Sequence, residues 1–128
     1  MSHPHPKSLV ALAFLFCAAL AFAAAVHSHW DHAPAKDHAR ANPLAGDKQA
    51  IAAGALVYAD HCAECHKPDA RGDGHKRPSL RTDPIRTASD GDLEWFLRQG
   101  DLAHGMPSWA SLPTQQRWQL VAYLRSIQ

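Results

Sequence analysis

The sequence predicts an all-α fold, and three observations carry that prediction. Three segments between Asp47 and Gln128 place apolar residues at helical spacing. Their starts and stops carry capping chemistry rather than hairpin turns. The longest stretch between them, residues 67–88, is rich in Gly, Pro, Arg and Asp and holds no credible strand.

The first helix follows Asp47, whose carboxylate suits an N-cap. Its expected buried stripe is Ile51, Ala55, Tyr58 and Cys62. The second opens at Ser89, with Asp92 three residues on in the manner of a capping box. It carries Leu93, Phe96 and Leu97 on one face and stops near Gly100. The third starts near Thr114, after Pro113. Leu120, Tyr123, Leu124 and Ile127 form its stripe, widened by Trp118 and Val121. Residues 67–88 are expected to be loop throughout. So long a loop in so small a domain needs something to wrap.

The chain has 128 residues, enough for one small domain plus an N-terminal extension. Thirteen Lys and Arg stand against twelve Asp and Glu, a formal net charge of +1. That balance argues against nucleic acid as a partner. Three cysteines are too few for a disulfide framework. There is no Gly-rich nucleotide loop.

The organisation expected is residues 1–26 as a signal peptide or N-terminal membrane anchor, 27–46 as a linker, and 47–128 as the domain. Leu9 to Val26 is an uninterrupted apolar run ending in Ala-x-Ala sequences, the pattern of an export signal. If it is not cleaved, residues 9–26 are long enough to tether the chain to a membrane. Cys17 lies inside this run after Phe16, a poor context for a lipid-bearing cysteine, and reads as apolar filler. The linker holds His27, His29, His32 and His38, Pro34 and Pro43, and shows no helical or strand period. A solvated spacer is the expected reading, with a loose metal site as the alternative. Trp30 would suit a membrane interface if the anchor is retained.

One short motif carries chemistry. Cys62-Ala63-Glu64-Cys65-His66 is C-x-x-C-H, the attachment signature of c-type haem. Two thiols one helical turn apart can add to the two vinyl groups of one haem, and the following His lies beneath the iron. A zinc site would need a second ligand pair, and no Cys follows Cys65. A thioredoxin-like pair would need a preceding strand, whereas a helix precedes the motif here. A plain Cys62–Cys65 disulfide remains open in an exported chain. Met106, in Gly105-Met106-Pro107, is the only Met beyond the initiator and is the favoured sixth ligand. His104, or an open position, is the alternative. His75 and His61 read as solvated side chains.

These residues resemble a class I cytochrome c, a small monohaem electron carrier of bacterial periplasms. The resemblance runs from Asp47 to Ile127. Beside the motif it includes Gly54 and Tyr58, eight and four residues before Cys62, and Leu120-Val121-Ala122-Tyr123-Leu124 near the C-terminus. It implies three main helices and long loops wrapped around one haem c, bound through Cys62 and Cys65. It implies His66 and Met106 as iron ligands. The Pro78 carbonyl would accept from His66 Nδ1–H, and Leu80 would pack on the haem edge. Gly54 would allow the first and last helices to cross closely. The stretch between Leu80 and Met106 is shorter than in mitochondrial-type members. Propionate donors are therefore not matched, and Arg81, Arg86, Trp95 and Trp109 stand as candidates on chemistry alone.

The function this implies is outer-sphere transfer of single electrons between redox proteins such as a dehydrogenase, reductase or oxidase. The expected molecule is a periplasmic monomer and not an enzyme. The alternatives are a haem enzyme or gas sensor with a labile sixth position, and an electron-entry subunit of a larger dehydrogenase. Basic residues concentrate in 67–86 and acidic ones in 90–101, a polarity that would orient docking if both stretches face solvent.

Overall fold

Asp47 starts the first long helix as its side chain dictates: Oδ1 accepts from the amides of Gln49 at 2.8 Å and Ala50 at 3.1 Å. The computed structural model describes residues 33–128. In chain order its helices are α1 (Ala35–His38), α2 (Lys48–His61), α3 (Ala63–His66), α4 (Asp83–Thr87), α5 (Asp90–Gln99) and α6 (Thr114–Ser126), with a 3₁₀ turn at Leu102–His104. Among the described residues there is no strand, only an isolated bridge between Asp101 and Met106. The all-α prediction holds, with the three long helices starting after Asp47, after Ser89 and after Pro113 as expected.

The main helix pair is α2 on α6. Gly54 makes it possible. A Cβ at that position would lie 2.0 Å from the Gln119 carbonyl oxygen and 2.9 Å from the Tyr123 Cβ, so the two backbones meet where the side chain is missing. One turn on, Tyr58 and Tyr123 pack at 5.2 Å between ring centroids, tilted by 48°. Tyr58, Leu120, Val121 and Leu124 are buried beside this crossing. Each such apolar side chain contributes about 2 kcal/mol of burial.

Three expectations need correction. The buried face of α2 is Ala50, Gly54, Val57 and Tyr58, while Ile51 and Ala55 are only half-buried. The contact with α6 is centred on Gly54, which a search for large apolar residues passes over. Residues 67–88 are not all loop, because α4 forms at Asp83–Thr87. Pro84 in its first turn has no amide to leave unpaired, and its ring fixes a helical φ.

The third correction concerns residues 27–46. Their described part is no solvated spacer. Asp37 and Asn42 are buried, and the Asn42 side chain donates to the Trp118 carbonyl at 2.9 Å. His38 Nδ1 lies 2.9 Å from Asp92 Oδ1, its backbone carbonyl accepts from Ser89 Oγ, and Arg40 lies over the Trp118 ring at 4.9 Å. Hydrophobic periodicity missed this arm because polar side chains hold it. The expected signal or anchor at 1–26, with Cys17, and the residues His27, His29, Trp30 and His32 lie outside the described residues. No helix among the described residues is long and apolar enough to cross a membrane.

Candidate functional site

The C-x-x-C-H segment sits where α2 ends. Cys62 caps α2, with its amide on the Tyr58 carbonyl at 2.9 Å. The chain bends there but stays helical. The amides of Cys65 and His66 reach back to the Cys62 carbonyl at 3.2 and 2.8 Å, which sets the two cysteines one turn apart. Cys62 is buried and Cys65 half-buried, and they are not joined by a disulfide. Before any attachment, burial and then the neighbouring Cys65 push the Cys62 thiol up to about 11.

Lys67 breaks the helix with φ at 68°, and Ala70 also lies in the left-handed region at 60°. The Tyr58 hydroxyl donates to the Lys67 carbonyl at 2.6 Å and holds that turn. Burial, then the neighbouring Cys62, raise the Tyr58 hydroxyl above its ordinary value, so it stays a donor. The loop then doubles back. The Gly72 amide bonds the His66 carbonyl at 2.9 Å, and the Leu80 amide bonds Ala70 at 2.8 Å.

This return brings Pro78 to His66. The His66 Nδ1 and the Pro78 carbonyl oxygen are 2.9 Å apart. A carbonyl only accepts, so Nδ1 carries a proton, and in the neutral ring the lone pair is on Nε2. Gly72 makes the approach possible, since a Cβ there would lie 2.0 Å from the Arg77 oxygen and 2.8 Å from the Pro78 oxygen. Asp73 closes the turn. Its carboxylate accepts from the amides of Arg77 at 3.0 Å and His75 at 2.9 Å, which hold it below the usual carboxylate range. Sequence reasoning missed Gly72 and Asp73. The signal was there in a Gly-Asp-Gly turn placed shortly before Pro78.

Met106 stands on the loop between α5 and α6. Gly100, with φ at 68°, lies so close to Pro107 and Ser108 that a Cβ would come within 2.6 Å of their backbone. Asp101 and Met106 exchange backbone hydrogen bonds at 2.8 and 2.9 Å, pinching the loop at its base. Met106 and Leu80 are half-buried and pack against the buried cluster that contains Cys62.

The competing side chains are placed differently. His104 is exposed, with Nδ1 2.7 Å from Asp101 Oδ2. His75 is exposed. His61 is exposed and packs on Trp109 at 5.2 Å. Among the propionate candidates, Arg81 Nε already donates to the Asp69 carbonyl at 2.9 Å, and Arg86 pairs with Asp83. Trp95 is half-buried on α5.

The residues present fit a covalently held haem: two thiols one turn apart, then an imidazole whose Nδ1 is held by a backbone carbonyl. A zinc reading has less to stand on. Among the described residues no group of three or more His, Cys, Asp and Glu side chains is placed to hold a metal ion.

Comparison with known families agrees with this donor chemistry. Residues 49–124, well over half the chain, match the family model described as cytochrome c oxidase, cbb3-type, subunit III. The chain belongs to this family. It carries a c-type cytochrome domain, whose cofactor is covalently bound haem c and whose work is haem-based electron transfer. Domains of this kind are typically electron carriers that pass electrons to redox partners. No curated protein and no solved structure matched the chain.

The electrostatics of this cytochrome domain differ from the sequence expectation. The acidic stretch 90–101 is not a surface patch. Glu94 is 0% exposed and Asp92 3%, and Asp90 accepts from Arg125 at 2.7 Å. Glu94 takes three guanidinium groups: Arg40 at 2.8 Å, Arg98 at 3.1 Å and Arg117 at 2.8 Å. The visible signal was Glu94 four residues before Arg98, flanked by Leu93 and Leu97 on the buried face.

Proposed function

We propose that this chain is an exported, class I-like monohaem cytochrome that carries single electrons between redox proteins, with His66 and Met106 as its iron ligands. The observation that carries the reading is the His66–Pro78 bond directly after C-x-x-C. It turns Nε2 outward as a ligand and strengthens the ring as a donor. A bound haem supplies an iron that takes up and gives back one electron. Cys62 and Cys65 hold it covalently in both charge states. Pro78 keeps the His66 ring from rotating. Leu80 would pack against the haem, and the pinched loop would present the Met106 sulfur to it. A soft thioether, together with burial, favours the ferrous state. With His66 and Met106 both binding the iron, no position would be left for a substrate, and transfer would be outer-sphere.

The N-terminal apolar run supports export to the periplasm, with the domain free or tethered through residues 9–26. A second reading follows from the description of the matched family, which names an oxidase subunit. In it the domain passes electrons within a larger complex, and it would co-purify with a membrane oxidase rather than alone.

The test is an absorption spectrum of the ferric protein, then with dithionite, then with carbon monoxide. A far-red sulfur-to-iron band and indifference to carbon monoxide are expected, both lost in Met106→Ala. Ready carbon monoxide binding by the native protein would replace the carrier with a haem enzyme or gas sensor.

A further inference from the structure

The Met106 segment, residues 100–113, contains only one 3₁₀ turn, so other residues must hold it in place. Just beyond Met106 it leans on α5: the Trp109 amide donates to the Leu97 carbonyl at 2.8 Å and Ser108 Oγ to the Arg98 carbonyl. Its downstream end has one main clasp. Arg117, 6% exposed, donates to the Ala110 carbonyl at 3.3 Å, to the Leu112 carbonyl, and to Thr114 Oγ1 at 3.1 Å.

A buried guanidinium stays only where its charge is answered. Glu94 answers it, with Arg117 Nε on Oε1 at 2.8 Å. The other oxygen of Glu94 is taken by Arg40 and Arg98, and Arg98 also donates to Asp37 at 2.6 Å. The carboxylate is therefore oriented from its far side by the N-terminal arm and by α5. One oxygen is left to fix Arg117.

We infer that Glu94 is a positioning residue for Met106: through Arg117 it clamps the downstream end of the segment and so keeps the sulfur on the iron. The inference rests on the proposed ligation by Met106. Without the charge of Glu94, Arg117 turns toward water and releases the Ala110 and Leu112 carbonyls. The α2–α6 crossing at Gly54 and Tyr58 stands on other residues and stays closed.

The experiment is thermal melting of the full holoprotein followed at two signals, the far-red sulfur-to-iron band and far-ultraviolet helicity. In Glu94→Gln the band is expected to vanish at a temperature about 10 °C or more further below the helicity midpoint than in the native protein. Arg117→Lys, which keeps the charge but cannot span both carbonyls, should widen the gap in the same direction and decides the matter if Glu94→Gln does not fold. Arg125→Gln, which breaks a comparable network tying α4 to α6, should lower both midpoints together. If the Glu94 and Arg117 variants lose band and helicity together, as the Arg125 variant does, the residues are merely structural and the inference fails. A native protein with no band, sensitive to carbon monoxide, would refute the ligation itself and this inference with it.

Discussion

The His66 ring is oriented by contacts that lie several residues away from it. The Pro78 carbonyl fixes which nitrogen holds the proton, and Gly72 gives that carbonyl room to approach. Gly72→Ala is therefore expected to push the Arg77 and Pro78 carbonyls outward and weaken the bond to Nδ1. A weaker donor stabilises ferric iron less, so the reduction potential should rise by about 50 mV, a shift worth roughly 1 kcal/mol for one electron. A redox titration checks it, and an unchanged potential in a folded variant would show that the bond does not depend on Gly72. Cys62, Cys65 and His66 were legible in the sequence as a motif, because covalent attachment demands a fixed spacing. Met106 stood out as the only methionine beyond the initiator, whereas the His66–Pro78 contact was readable only through resemblance, because it depends on how a loop returns. Gly72 and Asp73 were not legible, since a turn residue shows its purpose only once the turn is closed.

The caps set the elements. Ser89 and Asp92 form a full capping box, with the Asp92 amide on Ser89 Oγ at 3.0 Å and the Ser89 amide on Asp92 Oδ2 at 2.8 Å. Burial alone would raise the Asp92 carboxyl. The Ser89 amide and the His38 ring outweigh it, and the net shift is downward. A carboxylate depressed in the folded state stabilises above its unfolded value near 3.9, and that contribution fades as pH falls through the folded value. Asp92→Asn should therefore cost about 1 kcal/mol at pH 7 and much less near pH 2. Denaturant unfolding at the two pH values reads the difference, and an equal loss at both would contradict the charged cap. The helix starts at Asp47 and Ser89 were legible for this reason: capping is local chemistry; the start at Thr114 was marked instead by Pro113 before it, without a side-chain cap. The buried face of α2 was not, because it is set by the crossing at Gly54. The helix α4 was missed because it is shorter than the window in which periodicity can be seen.

At the scale of the whole molecule, polar contacts close a domain too small to rely on apolar burial alone. Asp37, Arg40 and Asn42 seat the N-terminal arm on α5 and α6, and Arg40 joins the carboxylate that also answers Arg98 and Arg117. Arg40→Ala is expected to destabilise the protein by about 2 kcal/mol, measured as a lower denaturant midpoint with an unchanged slope. No effect would mean that the arm docks without contributing to stability. The haem should contribute the rest, because the loops from Lys67 to Thr82 and from Gly100 to Pro113 have little helix of their own, and their Leu80 and Met106 pack against the cluster that holds Cys62. Every role given to these residues requires that group to be covalently attached at Cys62 and Cys65. The most direct measurement is the mass of the purified protein after full denaturation, made beside the Cys62→Ser, Cys65→Ser double variant. One haem retained by the native chain and none by the variant is the predicted result. A native chain that gives up its haem on denaturation, or a variant that keeps it, would contradict the account.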